Sequence, residues 1–416
     1  MASRGPGLGY ELFRQRQFTE LWSANLVLTL GLVMLMLGVS WEMTSLTDNP
    51  VLVSMVQTVM SLPFVFFSVP LGVASDVLGH RTVLLASQAW MLVITGVMGV
   101  IALTGGWEFT PVSVLSLLFL VGVGLVAQQS AWKPFLQEFV PEDKLVAAIS
   151  FNSLSNKISQ TLGPILGGYL MGLAGAAVVL FTRALSHVLM IITLIRFRNR
   201  PKTGDGETDK SAMASRSLRE GWNVLKRSPQ LYGPMIRCAL QMGPCAGVLA
   251  LLPLEAKENI QTGAIGFGGL LAALGVGTTA GVSLMPLLQR HLRLNPTSTV
   301  AVAFFSLAAI GISRWDSMAL DASFLVVFGF SWSVLTVSHQ FAVQTNAPKD
   351  MRGLMTSIYA LVQQGAMALG SFGFGVVAQQ ISVSRSILIA GIIAMSGLLL
   401  VRVFPMPEVA PEPSTA

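Results

Sequence analysis

Three cations and one carboxylate stand inside long apolar runs of this 416-residue chain. Ionisable groups in such runs are costly to bury, and they mark ligand sites or proton paths by default. The cations are Lys157, Arg183 and Arg237; the carboxylate is Glu42. Lys157 belongs to a polar stripe with Asn152, Ser153, Asn156 and Gln160, whose spacings of three and four suggest one helical face. A stripe of that kind against lipid is very unfavourable, so it faces a cavity or a partner helix. Two readings of Lys157 stand: it binds an anionic substrate, or it is a structural cation that links helices or extends its head to the membrane surface. Asn152, Asn156, Gln160, Gln129 and Arg237 are the companion candidates for substrate binding. Glu42, beside Trp41, is the candidate proton carrier, or else an interfacial acid next to a belt tryptophan. It is the only acid the sequence places inside an apolar run. Arg183, with His187 four residues on, is its candidate ion-pair partner in proton coupling.

Two further motifs carry mechanics rather than chemistry. The first is Gly72-Val73-Ala74-Ser75-Asp76-Val77-Leu78-Gly79-His80-Arg81. Gly79 permits a tight turn, and Asp76 is placed to cap the next helix or to pair with Arg81 or another basic group. The second is Gly163-Pro164-Ile165-Leu166-Gly167-Gly168, where a proline removes a backbone donor and glycines let a neighbour come close.

The sequence offers no catalytic residues, no metal cluster and no cofactor site. There is no phosphate-binding Gly-x-x-x-x-Gly-Lys loop and no nucleophile triad, so the chain does not read as an enzyme or an ATP-driven pump. The two cysteines, Cys238 and Cys245, lie seven residues apart. On a helix that is about 10.5 Å of rise, beyond the roughly 7 Å a disulfide tolerates between Cα atoms.

The elements that must position these groups are membrane spans. The chain is 53% hydrophobic and 11% charged, against about 25% charged for a soluble domain. Twelve runs reach the roughly 20 residues needed to cross a bilayer. They fall near 20–45, 51–74, 82–104, 111–132, 147–172, 176–196, 231–253, 264–288, 297–313, 319–342, 353–378 and 385–404. With a cytoplasmic N-terminus, 20 Lys and Arg fall on the cytoplasmic side and three on the other, which predicts both termini inside. The net charge of +6 is then positive-inside bias, with basic loops against anionic lipid, and not a nucleic-acid signal. The expected organisation is an N-terminal six-helix half (1–196), a cytoplasmic linker (197–230) with a short surface helix, a C-terminal six-helix half (231–404) and a disordered tail (405–416). A shift of 207 residues brings Pro141 onto Pro348, Asp143 onto Asp350, Ser150 onto Ser357, Gly163 onto Gly370 and Gly168 onto Gly375, which points to an internal duplication.

On these motifs the chain resembles the major facilitator superfamily. Gly72, Asp76, Gly79 and Arg81 match that family's loop between its second and third spans, with His80 in place of the usual first cation. Gly163, Pro164, Gly167 and Gly168 match its antiporter motif, with Ser159 replacing the first glycine. The run Val140 to Ala148, Asn152 and Asn156 is similar to the bacterial drug:proton antiporter branch that includes the enterobactin exporter. The resemblance implies an all-α membrane protein with the major facilitator fold, twelve helices in two pseudo-symmetric halves. It implies a latch at Gly72, Asp76, Gly79 and Arg81 and proton-coupled alternating access. A siderophore is the first expected substrate; multidrug efflux, lysophospholipid transport and a non-transporting sensor or scaffold are the alternatives. The expected partners are a small-molecule substrate, protons and membrane lipids, with no cofactor, in a monomer of the bacterial inner membrane. One departure stands out: span four, Val112 to Trp132, lacks the arginine that many proton-driven members carry.

Overall fold

Helix is the form in which an apolar segment satisfies its own backbone inside lipid, and the chain uses it almost throughout. The computed structural model describes residues 11–104, 110–141, 144–196, 224–226, 228–291, 293–348 and 351–404, and no strand occurs among them. The elements are α1 (Glu11–Arg14), α2 (Arg16–Leu46), α3 (Pro50–Leu78), α4 (His80–Thr104), α5 (Pro111–Phe139), α6 (Leu145–Arg196), α7 (Pro229–Glu258), α8 (Ala264–His291), α9 (Leu294–Ile312), α10 (Met318–Asn346), α11 (Arg352–Gln380) and α12 (Val383–Val403). Ten of these are long and apolar enough to cross a membrane, and α12 carries a shorter apolar run, Val383–Leu399. α6 holds 52 residues, enough for two crossings, and breaks at Gly175, whose φ of 74° is left-handed. Its two arms are the fifth and sixth expected spans, so the helices supply the twelve spans that the sequence predicts. Most of the expected linker (197–223 and 227), the tail (405–416), and Asp143 and Asp350 of the repeat lie outside the described residues.

Local chemistry sets the joints. α5 begins with a capping box: Ser113 N donates to Thr110 Oγ1 at 3.2 Å and Thr110 N donates to Ser113 Oγ at 3.0 Å, with Pro111 following the cap. Between α3 and α4 the single residue Gly79, φ 86°, turns the chain. Prolines inside helices, such as Pro63 and Pro70 in α3 and Pro244 in α7, are tolerated as they are in membrane spans generally.

The chain forms two compact units. The first comprises Met1–Asp48, Val59–Ser211 and Gln261–Ala272; the second comprises Asn49–Thr58, Ala212–Ile260 and Ala273–Ala416. In the first unit α2 packs along both arms of α6, and an aromatic cluster of Phe13, Phe18, Trp22 and Phe151 closes one end, with Phe13 and Phe151 centroids 4.6 Å apart. In the second, α7 is the buried centre, packed against α10, α11 and α12. Large apolar side chains point outward all round: Leu369 is 76% exposed, Leu185 66% and Leu173 64%. In water such a surface would aggregate; in a bilayer it is the solvated face.

Candidate functional site

The first unit contains a cavity of about 360 Å³. α2 contributes Asn25, Leu28, Thr29 and Leu32, at the three- and four-residue spacing of one helical face. α5 contributes Leu125, Gln128, Gln129, Trp132 and Lys133; the first arm of α6 adds Asn152 and Asn156, and the second arm adds Arg183.

Arg183 dominates the electrostatics. Its side chain is fully buried, and Nη1 donates to the Leu28 carbonyl. Nε and Nη2 have no hydrogen-bond partner. Those two nitrogens form the edge of the guanidinium that grips a carboxylate with two parallel hydrogen bonds. The cavity lining includes Arg183 and Lys133 and, among the described residues, no carboxylate. A buried cation without a counter-charge costs several kcal/mol, so the site is poised for an anion.

The walls are tied together by amides. Asn152 Oδ1 accepts from Asn25 Nδ2 at 3.0 Å and from Trp132 Nε1 at 3.1 Å, joining α2, α5 and α6. Gln128, on the cavity wall, accepts through Oε1 from Gln88 Nε2 at 3.0 Å. Gln88 Oε1 in turn lies 2.6 Å from His187 Nδ1. An amide oxygen only accepts, so the imidazole donates from Nδ1, and its Nε2 is left unpartnered in the core.

The sequence candidates divide. Asn152, Asn156 and Gln129 line the cavity; Lys157 and Gln160 do not. The stripe is wider than one face. At 3.6 residues per turn, Asn156 lies roughly 40° around the helix from Asn152, Gln160 roughly 80° and Lys157 roughly 140°. Arg183 does line the cavity, but its predicted pairing with Glu42 does not form. Its hydrogen bond goes to Leu28, 14 residues before Glu42 on α2, which is about 21 Å of helical rise. Glu42 is half-buried farther along α2. Arg237 lies in the second unit and does not extend to a surface. It is fully buried, with Nη1 donating to Asn295 Oδ1 at 2.8 Å and to the Phe404 carbonyl at 3.4 Å, and Nη2 donating to Ser298 Oγ at 2.6 Å. Those bonds clamp α7 to the start of α9 and the end of α12.

The latch motif also differs from expectation. Asp76 is not at the start of the third span; it lies exposed near the end of α3. Arg81 donates from Nε to the Leu194 carbonyl at 2.9 Å and from Nη2 to the Ile195 carbonyl at 3.3 Å, capping the end of α6 instead of meeting Asp76. His80 bonds Ser75 Oγ through Nδ1 at 2.9 Å and lies 3.5 Å from Glu138. In the antiporter-type motif, a Cβ on Gly163 would sit 2.9 Å from Val33, and one on Gly168 would sit 2.7 Å from the Ala264 carbonyl oxygen. Gly167 packs on Met34, and Pro164 is buried within α6.

Sequence reasoning missed Asn25 and Trp132. The signal was Asn25 and Thr29, four apart in an otherwise apolar run. It also missed two acids: Glu255 and Asp321 are 1% and 0% exposed, so Glu42 is not the only carboxylate inside the helices.

Comparison with known proteins agrees with this architecture. Residues 9–415 match the family described as transmembrane secretion effector. The chain is a member of this family, within the major facilitator superfamily. It is similar to Macrolide efflux protein A of Streptococcus pyogenes, 21% identical over 90% of this chain and 92% of that protein. The Staphyloferrin A transporter of Staphylococcus aureus is 20% identical over 89% and 92%. Multidrug efflux pump Tap of Mycolicibacterium fortuitum is 23% identical over 82% and 86%. In fold it resembles a bacterial homologue of the human lysosomal transporter Spinster in an inward-facing, unoccupied conformation, at 13% identity and TM-score 0.74 over 95% of this chain and 99% of that one. A D-xylose-proton symporter gives 0.72 at 13% identity over 94% and 98%. This member of the major facilitators is thus a multi-pass efflux or secretion transporter, not an enzyme.

Proposed function

We propose that the protein exports an anionic organic molecule, a carboxylate iron chelator of the siderophore class, by proton-coupled alternating access. The observation that carries this reading is Arg183, whose Nε and Nη2 have no hydrogen-bond partner, on the wall of a cavity lined by two cations and no acid among the described residues. A cationic amphiphile entering there would meet like charge, which disfavours a drug-type substrate. The amides of Asn152, Asn156, Gln128 and Gln129 suit a ligand rich in hydroxyl and carbonyl oxygen. The resemblance to a staphyloferrin A transporter supports the same class. The lysine and arginine distribution supports insertion in a bacterial inner membrane with both termini cytoplasmic. The transporter works as a monomer in contact with anionic lipid, and its two six-helix halves, 1–196 and 231–404, are the moving parts.

The test compares a deletion strain with its parent under iron limitation, profiling medium and cell extract by untargeted mass spectrometry. The reading expects an iron-binding carboxylate to disappear from the medium and accumulate in cells. Matching chelator profiles in the two strains would refute it.

A further inference from the structure

Two amides on the cavity wall are not free to turn. An amide carries a carbonyl oxygen on one side and two N–H donors on the other, so the side that the frame holds decides what a ligand meets. Asn152 Oδ1 takes two hydrogen bonds, from Asn25 Nδ2 at 3.0 Å and from Trp132 Nε1 at 3.1 Å, which fills both of its lone pairs. Gln128 Oε1 is held by Gln88 Nε2 at 3.0 Å. Gln88 is fully buried on α4 and is not part of the cavity lining, so it holds that oxygen from behind the wall. Asn152 Nδ2 and Gln128 Nε2 make no hydrogen bond among the described residues.

The sense of the Gln128 chain is set at its far end. His187 is fully buried on the second arm of α6, with Nδ1 2.6 Å from Gln88 Oε1. An imidazole protonated at Nδ1 donates there, which turns the Gln88 oxygen toward α6 and its N–H2 toward Gln128. The other tautomer, protonated at Nε2, would accept from Gln88 instead. Both amides would then reverse, and the Gln128 carbonyl would face the ligand. One buried proton on His187 thus decides whether the wall donates or accepts.

We infer that His187 and Gln88 are positioning residues that lock Gln128 with its N–H2 toward the ligand, and that Gln128 and Asn152 are specificity-determining donors for carboxylate and carbonyl oxygens of the substrate. Arg183 supplies charge; the two amides supply direction. Ammonium and other donor groups of a ligand find no acceptor at either amide, so selection against them does not rest on like charge alone. The donor role rests on the anion reading above, but the lock itself is tested without a ligand.

Solid-state nuclear magnetic resonance on the full-length protein in lipid, with nitrogen-15 in its four histidines, reads the tautomer directly. The signal lost in His187→Asn is expected to be that of an Nδ1–H, neutral ring. An Nε2–H ring at His187 overturns the inference. Citrate, a small carboxylate chelator, tests the donors. Gln128→Leu removes one charge-assisted hydrogen bond, so its Kd should rise about tenfold or more. Gln88→Met removes the hold: the Gln128 carbonyl turns to the cavity, and a carboxylate must push it back against an apolar side chain. A similar rise of about tenfold is expected. Because Gln88 acts through Gln128, adding Gln88→Met to Gln128→Leu should change Kd by less than about threefold. A rise that multiplies in the double variant, or a Gln128→Leu variant that binds as wild type does, overturns the assignment. An Nδ1–H ring in a wild type that binds no citrate refutes the anion reading and the donor role with it, and leaves the lock standing.

Discussion

Replacing Arg183 by Met tests the centre of the functional reading. The substitution keeps an unbranched apolar stem in the same packing and removes the guanidinium. Two of its donors, Nε and Nη2, have no hydrogen-bond partner, and Arg183 lines the cavity. Charge-assisted hydrogen bonds contribute about 1.5–3 kcal/mol each, so a bound carboxylate loses about 3 kcal/mol or more. At about 1.4 kcal/mol per tenfold, the Kd for citrate rises at least 100-fold. Stability should move the other way or not at all. The bond to the Leu28 carbonyl is lost, but so is the penalty of several kcal/mol for burying an unpaired cation. Arg183→Lys is the control: charge without the planar fork restores about a tenth of the affinity or less. Radiolabelled citrate binding to the purified transporter gives Kd, and a thermal unfolding scan gives stability. A Met variant that binds citrate within threefold of wild type, or a wild type with no saturable citrate binding, would refute the assignment of the cavity to anions.

Other substitutions separate the cavity from its frame. Asn152→Ala leaves Asn25 Nδ2 and Trp132 Nε1 without their acceptor, so a loss of about 1–3 kcal/mol in stability and a weaker citrate Kd are expected in unfolding and binding assays. Lys157→Ala, outside the cavity lining, should leave the citrate Kd unchanged; a large rise would return Lys157 to the substrate site. Gly168→Ala places a methyl 2.7 Å from the Ala264 carbonyl oxygen, and overpacking of that kind costs about 1–3 kcal/mol, read as a lower Tm and slower citrate exchange. Arg237→Ala strips the donor from Asn295, Ser298 and the Phe404 carbonyl; the expected signature is a lower Tm with the citrate Kd preserved.

Much of the fold was readable because hydropathy over about 20 residues is a strong signal. The break between the fifth and sixth spans was placed between 172 and 176, where Gly175 adopts its left-handed φ. The turn at Gly79 was legible for the same reason, since only glycine fits it cheaply. The site was readable only in part. Asn152 and Asn156 announced themselves by spacing, but the same pattern swept in Lys157 and Gln160, because periodicity does not fix how wide the inward face is. Arg183 was singled out as a buried cation and assigned the wrong partner. A span's sequence gives the depth of a residue along its own helix, but not the level at which another helix crosses it; Leu28, not Glu42, is the level of Arg183. Glu255 and Asp321 escaped because both lie within a turn or so of a helix end, where an acid ordinarily reads as a solvated terminus. The hydroxyl that meets Glu255 comes from Ser384 on α12, which one segment's sequence does not report.

The single-residue joints at Gly79 and Gly175 bear on how such a transporter diversifies. Where two long helices meet through one left-handed glycine, an insertion or deletion would rotate everything that follows by about 100° per residue and move buried faces outward. These connections are closed to the loop-length variation by which many scaffolds acquire new ligands. Change of specificity is left to point substitutions on helix faces, at positions such as Asn25, Gln128, Asn152 and Arg183. Descendants of one such chain would therefore keep near-constant spacing between helices while their cavity-lining residues drift, and selection experiments on this protein should recover substrate variants as substitutions rather than as changes of length.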